Sequence, residues 1–182
     1  YLSQIALSIV VFTRFITGLL PLICIIQSVK TKNMKNDLSN ELTTTKNELL
    51  KTLDLFDQGN INTVPFEGSW TGGQVAEHVL KSLSGALQNI TGQVKPTDRD
   101  PGEYVKPLGD IFLNMDIKMK SPDFIIPSTD PKEKSALRSS LASALDGIKT
   151  VAITEYLSAT CTGFEMPTLG PLTRLEWISF SS

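Results

Sequence analysis

This chain of 182 residues has one histidine, His78, and two cysteines, Cys24 and Cys161. That scarcity excludes a good deal. A divalent transition metal normally takes three or four protein ligands, and no second histidine is present to join the first. Two cysteines so far apart do not read as a disulfide framework; they suit a reducing compartment and a cytoplasmic location. There is no excess of charge of either sign: 17 basic against 19 acidic side chains leave a formal net charge of -2. The basic field that nucleic-acid binding requires is absent. No glycine-rich phosphate loop, Gly-x-Ser-x-Gly elbow, Cys-x-x-Cys or internal repeat occurs. A Ser-His-Asp triad would have to use His78, and nothing places a nucleophile beside it. Cys161, between Thr160 and Thr162, has no basic group poised to activate it and reads as an inert loop thiol.

The length allows one domain with a real core and little room for a second. Residues 1–33 stand apart from residues 34–182. Tyr1 to Val29 is largely apolar and contains no acidic residue, which is about the length that crosses a bilayer. Lys30, Lys32 and Lys35 follow, favouring a cytoplasmic C-terminal side. Against a spanning helix stand Arg14, costing about 3 kcal/mol near the centre, and Gly18 and Pro21. Two readings stay open: residues 5–29 are a membrane anchor, or residues 1–33 are a non-native upstream extension, with Met34-Lys35-Asn36-Asp37 opening the first amphipathic helix.

From Leu38 the apolar positions Leu42, Leu49, Leu53 and Phe56 keep helical spacing. Gly59 to Asn62 and Pro65 to Gly68 break the pattern. A second helix is expected from Thr71, whose hydroxyl and the Gln74 amide form a capping-box pair, with Val75, Val79, Ala86, Leu87 and Ile90 on its apolar face. His78 borders that face, so its ring points to the interior or its rim, and Trp70 packs across the first turn. Residues 92–102 read as a polar loop. A third helix is expected over 105–119, with Leu108, Ile111, Phe112, Met115 and Met119 on one face. Residues 121–127 are extended, because Pro122 and Pro127 exclude helix. Asp130-Pro131-Lys132-Glu133 reads as a helix start, followed by the stripe Leu137, Leu141, Leu145, Ile148 and Ala152. Residues 160–171 read as a loop. Thr173-Arg174-Leu175-Glu176 is a second capping box, opening a last helix through Trp177, Ile178 and Phe180. Trp70, Trp177, Phe112 and the methionines are most simply core residues. The expected fold is all-α: an antiparallel four-helix bundle, its last helix cut short, with an extra apolar N-terminal helix.

Three segments in order carry a resemblance: Ser69-Trp70-Thr71-Gly72-Gly73-Gln74-Val75-Ala76-Glu77-His78, Ser121-Pro122-Asp123-Phe124-Ile125-Ile126-Pro127-Ser128, and Gly170-Pro171-Leu172-Thr173-Arg174-Leu175-Glu176-Trp177. Together they resemble the DinB-like (YfiT-like) superfamily of metalloenzymes over residues 34–182. The resemblance implies that His78 is a metal ligand from the second helix, with Trp70 and Gln74 lining the pocket. It also implies a Zn or Ni ion and a small-molecule substrate, with chemistry of the metal-dependent hydrolase or thiol S-transferase kind. In that family the last helix supplies two more histidines, four residues apart, beyond the stretch that Thr173 to Phe180 resembles. Two of three ligands are therefore missing from the chain, and the expectation is a C-terminally truncated copy that holds no metal as it stands. Glu77 and Glu165 have no spacing argument as substitutes, since Glu77 lies about 100° around the helix from His78. The competing expectations are a non-catalytic helical module, possible as a homodimer, and a bundle tethered to a membrane through residues 5–29.

Overall fold

The capping boxes, the prolines and the apolar stripes place most of the helices where the chain forms them. The structure, a computed structural model, describes residues 2–114, 116 and 120–182, residues 2–27 by their backbone alone. The elements in order are α1 (Leu2–Leu53), α2 (Gly72–Thr91), β1 (Val94–Lys95), α3 (Val105–Phe112), a 3-10 turn (Asp123–Ile125), α4 (Lys134–Thr154), β2 (Thr160–Met166), β3 (Gly170–Thr173) and α5 (Arg174–Ser181). The chain is mostly helical, with a small three-stranded sheet. It divides into two compact units, Tyr1–Asp37 and Leu38–Ser182.

In the first unit the backbone is helical from Leu2 onward, so Met34 lies within α1 and does not open it. The stretch 5–29, proposed as an anchor, falls almost wholly outside the residues with described side chains. Among the described residues, no helix is long and apolar enough to cross a membrane.

The second unit holds the core. Leu38, Leu42 and Leu53 of α1 are buried, while Leu49 and Phe56 are half-buried. In α4 the whole expected stripe is buried: Leu137, Leu141, Leu145, Ile148 and Ala152, with Ala144 and Val151 added. Each fully buried leucine or isoleucine contributes about 1.5–3 kcal/mol, and the α2–α4 pairing is the principal helix contact. Gly147 lets the two helices approach, because a Cβ there would come within 2.7 Å of Leu87 Cδ2. In α2 the buried residues are Gly73, Ala76, Leu83, Ala86, Asn89 and Ile90. Val75, expected on that face, is 48% exposed. The true apolar stripe is rotated towards Ala76 and Leu83, the side that meets α4.

The expectation of an all-α fold is corrected by the sheet. Residues 160–171, read as a loop, form most of an antiparallel hairpin. β2 also pairs with β1, which falls in the segment read as a polar loop. The pairs are Val94 with Cys161 and Lys95 with Thr160 on one side, and Thr160 with Thr173, Glu165 with Pro171 and Met166 with Gly170 on the other. Between them the register slips, so residues 161–164 face residue 172 alone, a bulge in β2. The hairpin turn needs two left-handed residues, Thr168 (φ 70°) and Gly170 (φ 77°).

Three further expectations shift. α3 ends at Phe112, and Met115 and Met119 lie outside the described residues. Residues 123–125 make one 3-10 turn, short enough for Pro122 and Pro127 to flank it. α4 starts at Lys134 with Glu133 as its uncapped N-cap, not at Asp130. The Lys132 backbone is held instead by side chains from the α1–α2 connection. Its N–H donates to Asn62 Oδ1 at 2.7 Å, and its carbonyl accepts from Gln58 and Asn62.

A histidine corner stitched to a proline-flanked strap

Thr71 caps α2 in the manner the sequence implies. Its hydroxyl accepts from the Gln74 N–H at 3.1 Å, and the Gln74 side chain accepts from the Thr71 N–H at 3.0 Å. One turn on, the half-buried His78 packs its ring against Trp70, centroid to centroid 5.2 Å at 48°. Its Nδ1 lies 2.9 Å from the Ile125 carbonyl oxygen. A carbonyl can only accept, so Nδ1 carries the hydrogen, and in the neutral ring the lone pair is on Nε2. This is the tautomer and second-shell bond typical of a metal-ligating histidine.

The same geometry has a structural role. Residues 121–128 contain two prolines, which lack N–H groups, and pair with no strand; α2 side chains satisfy their backbone. His78 bonds Ile125 O, Lys81 Nζ donates to Ile126 O at 2.7 Å, and Gln74 Nε2 donates to Ser128 O at 3.3 Å. Glu77 Oε2 accepts from the Ser128 N–H at 3.1 Å. Four α2 side chains, at positions 74, 77, 78 and 81, thus stitch one strap to the helix. Gln74, expected to line a pocket, is occupied by the cap and by Ser128. Trp70 is 38% exposed and lies over His78 as expected, at the rim and not in the core.

Glu77 is no substitute ligand. Its carboxylate pairs with Lys132 Nζ at 2.5 Å and Lys81 Nζ at 3.1 Å. Burial pushes its pKa up, but the hydrogen bonds from Lys132, Lys81 and the Ser128 N–H outweigh that and hold it below the ordinary carboxylate value. Lys132 Nζ also donates to Ser128 Oγ. The pair resembles a Ser-Lys nucleophile and base, but the ammonium is committed to Glu77 and the hydroxyl accepts in that bond, so neither group is poised to take a proton. Glu165 is exposed on β2. Among the described residues, no group of three or more His, Cys, Asp or Glu side chains could hold a metal ion. The described residues therefore supply one donor, and they do not by themselves fit the metal that the resemblance implies.

A second polar centre, not expected from the sequence beyond its capping box, lies at the start of α5. Glu176 is fully buried and accepts from both Arg99 guanidinium nitrogens at 2.6 and 2.7 Å, from the Tyr104 N–H at 2.8 Å and from the Thr173 N–H at 2.8 Å. Burial raises its pKa, and the Arg99 hydrogen bonds and backbone N–H groups more than offset it, leaving Glu176 below its ordinary value. Arg99 also lies over the Tyr104 ring at 4.1 Å. The arrangement locks the 99–104 loop onto α5. With every carboxylate lone pair directed at a donor, it offers nothing to a substrate. Cys161 is fully buried in β2, a strand and not a loop, and burial pushes its thiol up to about 11. Burial and the raised pKa both disfavour the reactive thiolate. An open groove of about 610 Å³ between α2 and α4 is lined by Leu80, Leu87 and Ala144 and by serines such as Ser84 and Ser143, with no group for acid-base or nucleophilic work.

Comparison with protein-family models, with curated proteins and with solved structures found no match.

Proposed function

We propose that the second unit is a DinB-like four-helix bundle carrying a small added sheet, and that His78 is a metal-ligand position on it. The observation that supports this best is the Nδ1–H···O=C bond to Ile125, which fixes the ring and leaves the Nε2 lone pair for a cation. In such proteins a bound Zn or Ni ion lowers the pKa of a water or thiol, and the resulting nucleophile serves a hydrolase or S-transferase. The described residues contribute one donor, so the reading is of a scaffold that needs donors from elsewhere, and no catalytic step is assigned to its side chains. A buried unpaired thiol at Cys161 fits a reducing, cytoplasmic setting. The observation that Gln74, Glu77, His78 and Lys81 together hold one strap favours a second reading, a non-catalytic helical module in which His78 only packs.

Because His78 is the chain's sole imidazole, retention on immobilised Cu(II)-iminodiacetate tests whether its Nε2 is open to a metal, which the ligand reading requires. The resin supplies the remaining donors. Retention of the wild-type protein and its loss in His78→Ala support the ligand position. Equal retention of both proteins, or retention of neither, defeats it.

A further inference from the structure

The strap is held differently along its length. At Ser128 three polar contacts meet. The N–H donates to Glu77 Oε2 at 3.1 Å, the carbonyl accepts from Gln74 Nε2 at 3.3 Å, and Oγ accepts from Lys132 Nζ. Lys132 is itself fixed through its backbone by Asn62 and Gln58, and Pro127 is buried. Residues 121–126 are held more lightly. None of the six is buried, and Phe124 is 63% exposed. His78 bonds Ile125 O at 2.9 Å, Lys81 bonds Ile126 O at 2.7 Å, and the Phe124 ring meets Phe164 at 5.7 Å.

The face of α2 beneath them is not the one that packs in the core. Gln74, Glu77, His78 and Lys81 recur at i, i+3, i+4 and i+7 along one side of the helix, whereas Ala76, Leu83, Ala86 and Ile90 are buried on another. Residues 121–126 can therefore leave α2 without opening the core. Ile125 and Ile126 donate their N–H groups to Pro122 O and Asp123 O within a single 3-10 turn, which does not persist without a surface to lie on. Segments with few buried apolar contacts are the ones that open locally.

We propose that residues 121–126 form a tongue, hinged at Pro127–Ser128, that swings off α2 while the helix stays folded, and that its position sets the tautomer of His78. Docked, Ile125 O requires the hydrogen on Nδ1 and leaves the lone pair on Nε2. Released, Nδ1 loses its acceptor, and the neutral ring reverts to the form with the hydrogen on Nε2, which a free imidazole side chain favours in water. The tongue thus switches which nitrogen of the sole imidazole offers a lone pair. As regulation of the His78 position this rests on the metal-ligand reading; the swing itself does not.

Native-state hydrogen exchange in EDTA, followed by ¹H–¹⁵N NMR, tests the swing. The Ile125 and Ile126 N–H groups are expected to exchange together, with protection about ten-fold or more below that of the Ser128 N–H at the hinge and of the α2 amides beneath. Lys81→Met leaves Glu77 paired with Lys132, and Phe124→Ala acts from the opposite side at an exposed position, which covers the case in which Lys81→Met fails to fold. Each is expected to speed Ile125 and Ile126 about ten-fold and to leave Ser128 and α2 unchanged. In the double variant, a long-range ¹H–¹⁵N spectrum of the neutral ring should show the hydrogen moving from Nδ1 towards Nε2. The proposal is overturned if Ile125, Ile126 and Ser128 share one protection, if neither variant speeds the two isoleucines, if α2 opens in step with them, or if the double variant releases the tongue and keeps the wild-type tautomer. A tongue that passes without copper retention upholds the switch and defeats the ligand reading alone; copper retention with a tongue that fails overturns the switch alone.

Discussion

Replacing Arg99 with Met would strand the Glu176 carboxylate, the most deeply buried charge among the described residues. Glu176 has no exposed surface and takes two of its four hydrogen bonds from Arg99. Removing one partner of a buried ion pair costs about 3–5 kcal/mol, because the other charge remains desolvated. The Tyr104 and Thr173 N–H groups would still hold the carboxylate, which puts the expected loss near the low end, about 3 kcal/mol at pH 7. For a chain of this size that corresponds to about 6–12 °C in Tm, and urea unfolding would measure it directly. The pH dependence gives a second handle. In the wild type the folded pKa of Glu176 lies below its ordinary value. That contribution to stability is therefore present above the unfolded pKa of roughly 4.3 and is lost as pH falls through the folded value. In Arg99→Met, burial has lost its main opponent and the folded pKa should lie above the unfolded one, so the variant gains stability as pH falls through it. The gap between the two proteins should narrow steadily from pH 7 towards pH 4. Adding Glu176→Leu should recover part of the loss, since an apolar pair strands no charge. A loss below about 1 kcal/mol at pH 7, or a gap independent of pH, would refute the reasoning.

Two further outcomes follow from local geometry. Thr168 sits at φ 70° in the β2–β3 turn, where a β-branched residue is strained, so Thr168→Gly or Thr168→Asn should stabilise by about 0.5–1 kcal/mol in urea unfolding; destabilisation would show that the hydroxyl or methyl makes a contact outweighing the strain. Cys161, raised to about 11 by burial, should resist iodoacetamide at pH 8 in the native protein and react once unfolded, as peptide mass mapping would show. Its raised folded pKa contributes stability that is complete below the unfolded thiol pKa of roughly 8.5 and is lost as pH rises towards the folded value, at up to about 1.4 kcal/mol per pH unit; an identical alkaline slope in Cys161→Ala would contradict this.

How far the sequence carried the fold depended on whether the signal was local. Thr71 with Gln74 and Thr173 with Glu176 are self-contained caps, and both form. The α4 stripe is likewise a property of one segment, and it is buried as spaced. The strands are not local in this sense. β1 is two residues long, and β2 carries a glycine and a bulge; both exist because the chain returns beside Gln93 to Lys95, with Thr162 N–H donating to Gln93 O at 3.0 Å. Asp130-Pro131 has the chemistry of a helix start, yet Asn62 and Gln58, about 70 residues earlier, claim the Lys132 backbone that a cap would have used. At the site, the place of His78 at the rim of the apolar face could be read from spacing, whereas its contact with the Trp70 ring and the Ile125 bond could not. Its signal was present in Pro122 and Pro127: a strap short of its own donors, lying beside a helix, must find side chains for its carbonyls.

The tautomer of His78 tests the central claim most directly. A long-range ¹H–¹⁵N correlation spectrum of the neutral ring should show the hydrogen on Nδ1, bonded to Ile125 O, with Nε2 as the bare nitrogen. A hydrogen on Nε2, or a ring exchanging freely between the two forms, would mean that the imidazole is not held for a cation, and the ligand reading would be lost.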